Sequence, residues 1–356
     1  MSTYFSQRFA SLTPYTPGEQ PRDMQYVKLN TNESPYPPSS GVLAAVERES
    51  RLLQLYSDPT CKELTEKLSA LYGLKPSQVI ATNGSDEALY FAFMAYSGED
   101  VPLVFPDITY GFYPVFADLL GVPYAAVPLK EDFTIDPANY FAKGKKQTVV
   151  IANPNAPTGL CLSIPRIEEI LRHNQGNVVI IDEAYVDFGG ESAVQLIDKY
   201  DNLLVTQTFS KSRSMAGARL GFAMGNQALI ADLHTLRYST NPYNVNRMTA
   251  AAGCAALEEN SYYMENCRKI MATREQTKIA LEALGFSVIP SKANFLFIRH
   301  PKADGKEIYQ KLKEKGVLVR HFDKDRIREY NRVTIGTPAQ MEVFLNTIQT
   351  ITEDAI

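Results

Sequence analysis

The sequence predicts an α/β fold, with a large domain built on a mostly parallel sheet flanked by helices and a smaller α+β domain. Three observations carry this. Short apolar runs alternate with amphipathic stretches from about residue 41 to 250. Their strand–helix–strand spacing is that of βαβ units. Beyond residue 250 the pattern turns first helical and then mixed, and 356 residues exceed one typical domain of about 150.

Residues 1–40 read as an irregular arm. PYTPGEQP (14–21) and NESPYPPSS (32–40) block regular structure, while the tyrosines and phenylalanines of the arm need a surface to pack on. Residues 41–250 form the expected large domain. QTVVIAN (147–153) predicts a strand, and IPRIEEILRHN (164–174) a helix with Ile164, Ile167, Ile170 and Leu171 on one face. NVVIIDEA (177–184) and NLLVTQTF (202–209) are further strands. Residues 251–356 form the expected small domain, opening with helix (249–284) and continuing through SVIP, NFLFIRH, KEIYQKLKEKG, VLVR, RVTIG and a last helix.

Composition excludes several classes. Thirty-six basic against forty acidic residues give a net charge of −4, which leaves no basic footprint for nucleic acid or an anionic membrane. The cysteines (61, 161, 254, 267) have no framework spacing, and the histidines (173, 234, 300, 321) are scattered, so no metal site is expected. No apolar run approaches the roughly 18 residues of a membrane span. A reduced, cytoplasmic protein is the expectation.

Ligands in open α/β sheets bind at the carboxyl ends of strands. NPNAPTG (153–159), DEAYVDF (182–188) and TFSKSRSMAGARLGF (208–222) all fall there, and TNGSDEALYFAF (82–93) opens a helix after another strand. Lys211 is a candidate Schiff-base lysine, with Arg219, Ser210 and Thr208 able to hold a phosphate, or else a solvated loop residue. Asp182 caps a fully apolar strand, where a carboxylate needs a cation or hydrogen bonds; a protonated pyridine nitrogen, a metal ion or a salt bridge would each serve. No G-x-x-x-x-G-K-[ST] accompanies the strand-end D-E, which excludes a P-loop NTPase. Ser85 and Asp86 start a helix whose free N–H groups suit a phosphate, or simply cap it. Tyr110 could lie on an aromatic cofactor or fill the core, and Tyr185 could reach a phenolic oxygen.

The ordered set N-P-N-x-P-T-G, D-E-A-Y and T-F-S-K, with an arginine eight residues after the lysine, resembles the fold-type I aminotransferases dependent on pyridoxal 5′-phosphate. LTPYTPG (12–18), LNTNESPYPP (29–38), LYSDPTCKELTEKLS (55–69), GVLVRHF (316–322) and RVTIGT (332–337) are similar to the histidinol-phosphate aminotransferases in particular. The resemblance implies that Lys211 holds the cofactor and acts as general base. It implies Asp182 on the pyridinium nitrogen, Tyr185 on the ring oxygen and Tyr110 against the ring. Ser85, Asp86, Thr208, Ser210 and Arg219 would hold the phosphate. Tyr56 would reach the cofactor phosphate of a partner subunit, making a homodimer. The family asparagine before P-T-G is Ala156 here, so either Asn155 or Asn153 substitutes or Tyr185 carries the ring-oxygen contact with less help.

For the substrate, the resemblance implies Arg332 and Arg320 on a carboxylate or phosphate, Tyr15 from the arm, and Tyr243 and Asn244 on the imidazole side. The acidic neighbours Asp323, Asp325 and Glu329 would alternatively pair with those arginines on the surface. The implied reaction is amino transfer between histidinol phosphate and 2-oxoglutarate in histidine biosynthesis. An aromatic amino-acid aminotransferase or a threonine-phosphate decarboxylase would share every cofactor residue. A cofactor-binding regulator would need a fused helix-turn-helix module, for which the Pro-rich residues before 30 leave no room.

Overall fold

The computed structural model describes residues 2–353; residue 1 of the expected arm and residues 354–356 of the expected small domain lie outside. The chain opens with β1 (Val27–Lys28), α1 (Ser40–Ser50) and α2 (Lys62–Tyr72). It continues through β2 (Val79–Thr82), α3 (Ser85–Tyr96), β3 (Leu103–Pro106), α4 (Phe112–Leu120) and β4 (Tyr124–Val127). Next come β5 (Thr148–Ala152), α5 (Ile164–Arg172), β6 (Val179–Asp182), β7 (Leu203–Thr208), β8 (Gly221–Gly225) and α6 (Gln227–Thr240). The remainder is α7 (Arg247–Glu258), α8 (Asn260–Ala283), β9 (Ser287–Ile289), β10 (Phe295–Arg299), α9 (Gly305–Glu314), β11 (Val317–Leu318), β12 (Arg320–His321), β13 (Asn331–Thr334) and α10 (Pro338–Glu353).

Seven strands make the large sheet in the order β2-β8-β7-β6-β5-β3-β4. All neighbours are parallel except β8, which runs antiparallel to both β2 and β7. The central strands β5, β6 and β7 are buried along their whole length, as continuous Val/Ile/Leu runs in a two-sided parallel sheet must be. The four apolar residues expected on one face of α5 are all buried. The carboxyl ends of β5, β6 and β7 therefore sit side by side on a rigid core.

The small sheet is β12-β13-β10-β9, antiparallel throughout, and covered by α8, α9 and α10. The arm joins this region by pairing β1 in parallel with β11. Its first residues are mostly exposed, with Tyr4 96% accessible, whereas residues 26–32 are packed. A division at residue 250 falls inside α7, which packs against α1 and α2.

Gly221, where β8 enters the sheet, lets the start of α3 approach closely: a Cβ there would lie 2.2 Å from the Ser85 nitrogen and 2.4 Å from the Gly84 carbonyl carbon. Both contacts are with backbone, so nothing can rotate away. Gly221→Ala is expected to cost about 3 kcal/mol or more of stability in urea unfolding, at the upper end of overpacking effects.

Candidate active site

Asp182 ends β6 at 4% exposure. Its carboxylate accepts from Tyr113 Oη at 2.8 Å and Thr206 Oγ1 at 3.1 Å. Among the described residues it has no cationic partner. Burial pushes its pKa up to about 6, against the hydrogen bonds from Tyr113 and Thr206, with the Asp86 charge adding to the rise. Tyr113, fully buried on α4, packs edge-on to Phe93 and tilted against Phe105, and its own pKa is driven well up by burial and by the Asp182 charge.

Beyond β7, Thr208 Oγ1 accepts the Ser210 N–H at 3.1 Å and turns the chain into the Lys211 loop. Lys211 Nζ donates to the Thr31 carbonyl at 3.2 Å and lies 5.8 Å from the centre of the Tyr185 ring. Arg219 takes a left-handed backbone, φ 55°, just before β8. Its guanidinium reaches Asp86 Oδ2 at 3.1 Å and Ser210 Oγ at 3.4 Å. A Cβ on Gly84, whose φ is 78°, would lie 2.6 Å from Arg219 Nη2. Glycine thus keeps open a cradle formed by the amino end of α3, Ser210 and Arg219, all positive or hydrogen-bond donating. Tyr110 Oη donates to Asp86 Oδ1 at 2.9 Å.

Asp182, Ser85, Asp86, Tyr110, Thr208, Ser210, Lys211 and Arg219 line one cavity of about 180 Å³, together with Ala152, Ala156 and Tyr185. A second space of about 320 Å³ continues from it, sharing Thr31, Tyr110, Ala156, Tyr185 and Lys211, and is walled by Tyr15, Phe322, Arg320 and Arg332. Tyr15 stacks on Phe112, centroids 4.4 Å apart. Arg332 Nη2 donates to the Asn30 carbonyl at 3.0 Å, its Nε has no partner among the described residues, and burial lowers its pKa. Arg320 binds the carbonyls of Thr16 and Pro17. Neither arginine pairs with an acid among the described residues, so the surface-pairing alternative of Asp323, Asp325 and Glu329 is not what the fold adopts.

The structure thus brings together Lys211, Asp182, Tyr185, Ser85, Asp86, Tyr110, Thr208, Ser210, Arg219, Tyr15, Arg320 and Arg332. Asn155 is a correction: its amide donates to Ile108 O and Thr158 Oγ1 and accepts from Thr109 Oγ1, which braces the loop and leaves nothing for the cavity. Asn153 bonds both backbone groups of Leu162 and does not line the cavity. Tyr243 and Asn244 do not line the cavity of their own chain. Tyr243 stacks on the exposed Tyr56 at 4.6 Å, and Asn244 donates to Glu87. Three contributors escaped the sequence reading. They are Tyr113, three residues after Tyr110; the Thr31 carbonyl; and Asn32, which donates to Tyr185 Oη at 2.9 Å. The signal for Asn32 lay within LNTNESPYPP, but its contact spans 153 residues of sequence.

Residues 24–348 match the family model of aminotransferase class I and II. A protein of Brachyspira hyodysenteriae named histidinol-phosphate aminotransferase is 49% identical over 99% of both chains. One of the same name from Marinomonas sp. is 49% identical over 99% of this chain and 100% of its own. The solved histidinol-phosphate aminotransferase of Sinorhizobium meliloti, in complex with pyridoxal-5′-phosphate, superposes with a TM-score of 0.89 at 21% identity, covering 100% of this chain and 99% of its own.

The raised Asp182 pKa carries a stability consequence. A native value near 6 against an ordinary 3.8 means that the folded, cofactor-free protein holds the proton more tightly than the unfolded chain. Stability attributable to this group is therefore greatest below about pH 4 and falls as pH rises through 6, by about 3 kcal/mol in all. Asp182→Asn is expected to remove that fall, read as a flatter melting temperature between pH 4 and 6 relative to the unaltered protein.

Proposed function

The chain belongs to the class I and II aminotransferase family, and on that premise we propose that it exchanges the amino group of L-histidinol phosphate with 2-oxoglutarate, using pyridoxal 5′-phosphate, in histidine biosynthesis. One observation carries the cofactor assignment. A lysine amine opens into a cavity lined both by a buried carboxylate with no cationic partner among the described residues and by a glycine-opened anion cradle. Those two features suit the two ends of a pyridine phosphate, a ring nitrogen that must be protonated and a dianion.

Asp182 would hold the ring nitrogen's proton, and its burial makes that ion pair strong. Ser85, Thr208, Ser210 and Arg219 would hold the phosphate, with the α3 amino end adding its dipole. For that, Arg219, which already donates to Asp86, would have to share its guanidinium with the anion. Tyr110 would flank the ring, and Tyr185 would contact its oxygen. Bound there, pyridoxal phosphate supplies an electron-withdrawing ring that takes up the electron pair left at the substrate's Cα when its proton departs. Lys211 Nζ would be the base that takes this Cα proton and delivers it across the substrate–cofactor linkage in a 1,3-proton shift, and Thr31 O, which accepts from Nζ, would help to orient the amine. Tyr15 and Phe322 give the outer space an aromatic wall on one side. Arg332 and Arg320 would grip the phosphate of histidinol phosphate in one half-reaction and a carboxylate of 2-oxoglutarate in the other.

A homodimer is part of the proposal, supported by one exposed apolar face comprising Leu53, Leu55, Tyr56 and Tyr243. Tyr56, 80% exposed, would extend to the partner's phosphate cradle. The cytoplasm is the proposed compartment, in keeping with cysteines that are all free; no helix among the described residues is long and apolar enough to cross a membrane.

Adding histidinol phosphate without any keto acid to the pyridoxal phosphate-loaded protein is expected to bleach the visible band within one turnover and leave pyridoxamine phosphate. A band that ignores histidinol phosphate but bleaches with phenylalanine would instead assign an aromatic amino-acid substrate. Lys211→Ala is expected to lower turnover by at least about 10³-fold, and borohydride reduction of the loaded protein should fix the cofactor to Lys211 alone, read by peptide mass. Tyr56→Phe is expected to weaken pyridoxal phosphate retention by about tenfold in equilibrium dialysis, one charge-assisted hydrogen bond's worth, with the sedimentation coefficient of a dimer unchanged.

A further inference from the structure

Tyr185 would contact the proposed cofactor's ring oxygen, and the side chain of Ala156 beside it has no donor to offer. Ala156 instead packs with Ala293, Phe295 and the Tyr185 ring, making that side of the phenol apolar. The polar partner comes from the arm. Asn32 is 1% exposed and held in the left-handed region, φ 56°, between β1 and α1. Its backbone N–H donates to Thr334 Oγ1 at 3.0 Å, that hydroxyl donates back to Asn32 Oδ1 at 2.9 Å, and Asn294 Nδ2 donates to the Asn32 carbonyl at 3.0 Å.

This bonding fixes which end of the amide faces Tyr185. Thr334 has one proton to give and already accepts the Asn32 N–H, so its proton needs an acceptor, which is Oδ1. Turning the amide over would aim two donors at Oγ1 and leave its proton without a partner. Asn32 Nδ2 is therefore the donor to Tyr185 Oη at 2.9 Å. The Tyr185 oxygen accepts from the arm, and its own proton remains for the cavity.

We propose that Asn32 is a positioning residue for the reaction: from the arm it fixes the Tyr185 hydroxyl as a donor toward the cofactor's ring oxygen, in place of the direct contact that Ala156 cannot make. This rests on the cofactor reading above. It ties proton affinity at the Lys211–cofactor link to the seating of the arm on β13, because Asn32 is oriented by Thr334.

The measurement is a pH titration of the visible absorption of the pyridoxal phosphate-loaded protein. A donor at the ring oxygen stabilises its negative charge and lets the nearby proton leave at lower pH, so losing that donor moves the midpoint up. Asn32→Asp tolerates the left-handed backbone and can still accept from Thr334, but it offers Tyr185 only an acceptor and draws the hydroxyl proton away. Its midpoint is expected to rise by about one pH unit more than the same substitution produces in a Tyr185→Phe protein. Asn32→Gly, which keeps the backbone and adds no charge, should rise less, and again only when the Tyr185 hydroxyl is present. Equal shifts with and without that hydroxyl, or no shift in either variant, would overturn the relay while leaving the wild-type band intact. A wild-type protein with no such band would overturn the cofactor reading and the relay with it.

Discussion

The site is organised around a negative charge that the fold buries without a cation. Asp182 stands at the end of a strand whose other residues are Val and Ile, between two strands equally buried. A carboxylate there is tolerable only when protonated or when a positive group arrives. The hydroxyls of Tyr113 and Thr206 hold its orientation but do not neutralise it. Tyr113 cannot yield, being locked among aromatic neighbours. The carboxylate is thus fixed in place, and fixed electrostatics facing a bound ring is the arrangement that spends least on reorganisation during reaction.

The second dependency is the segment 30–32. Its three successive carbonyls accept from Arg332, Lys211 and Asn294 in turn. One short strap therefore spans the amine of the large domain and the arginine of the small sheet. Pairing of β1 with β11 anchors its leading end, and Asn32 with Thr334 anchors the other. A displacement of the small sheet would be felt at Lys211 through backbone groups, whose geometry is stiffer than that of side chains. The distance between Arg332 and Lys211 is set in this way.

Much of this was legible in the sequence. Carboxyl ends of apolar strands located Asp182, Thr208, Ser210 and Lys211, and a glycine-bearing helix start located Ser85 and Asp86, because those signals are local. Asn155 misled for an equally physical reason: its sequence position borders the cavity, but the turn it sits in needed its amide more than a ligand would. Asn32 and Thr31 were illegible because their roles arise from contacts across 150 or more residues, made by a loop with no periodicity to read. Tyr243 and Tyr56 stack on each other at the surface, and no pattern within one chain can say what a second chain would bring to them.

The substrate arginines complete the logic. A salt bridge to an internal acid would have satisfied them, and would have had to be broken each time an anion bound. Both are instead held by carbonyls of the arm: Arg332 by Asn30, Arg320 by Thr16 and Pro17. Neutral partners fix direction and leave the charge uncompensated, so an incoming phosphate or carboxylate gains a charge-assisted bond without displacing a competing anion. The aromatic faces of Phe295 and Phe322 under Arg332 stabilise the guanidinium without consuming its donors. Such a grip discriminates by charge and position more than by the atom bearing the charge. That is the property the proposed reaction requires, in which Arg320 and Arg332 would receive a phosphate monoester in one half-reaction and a dicarboxylate in the next.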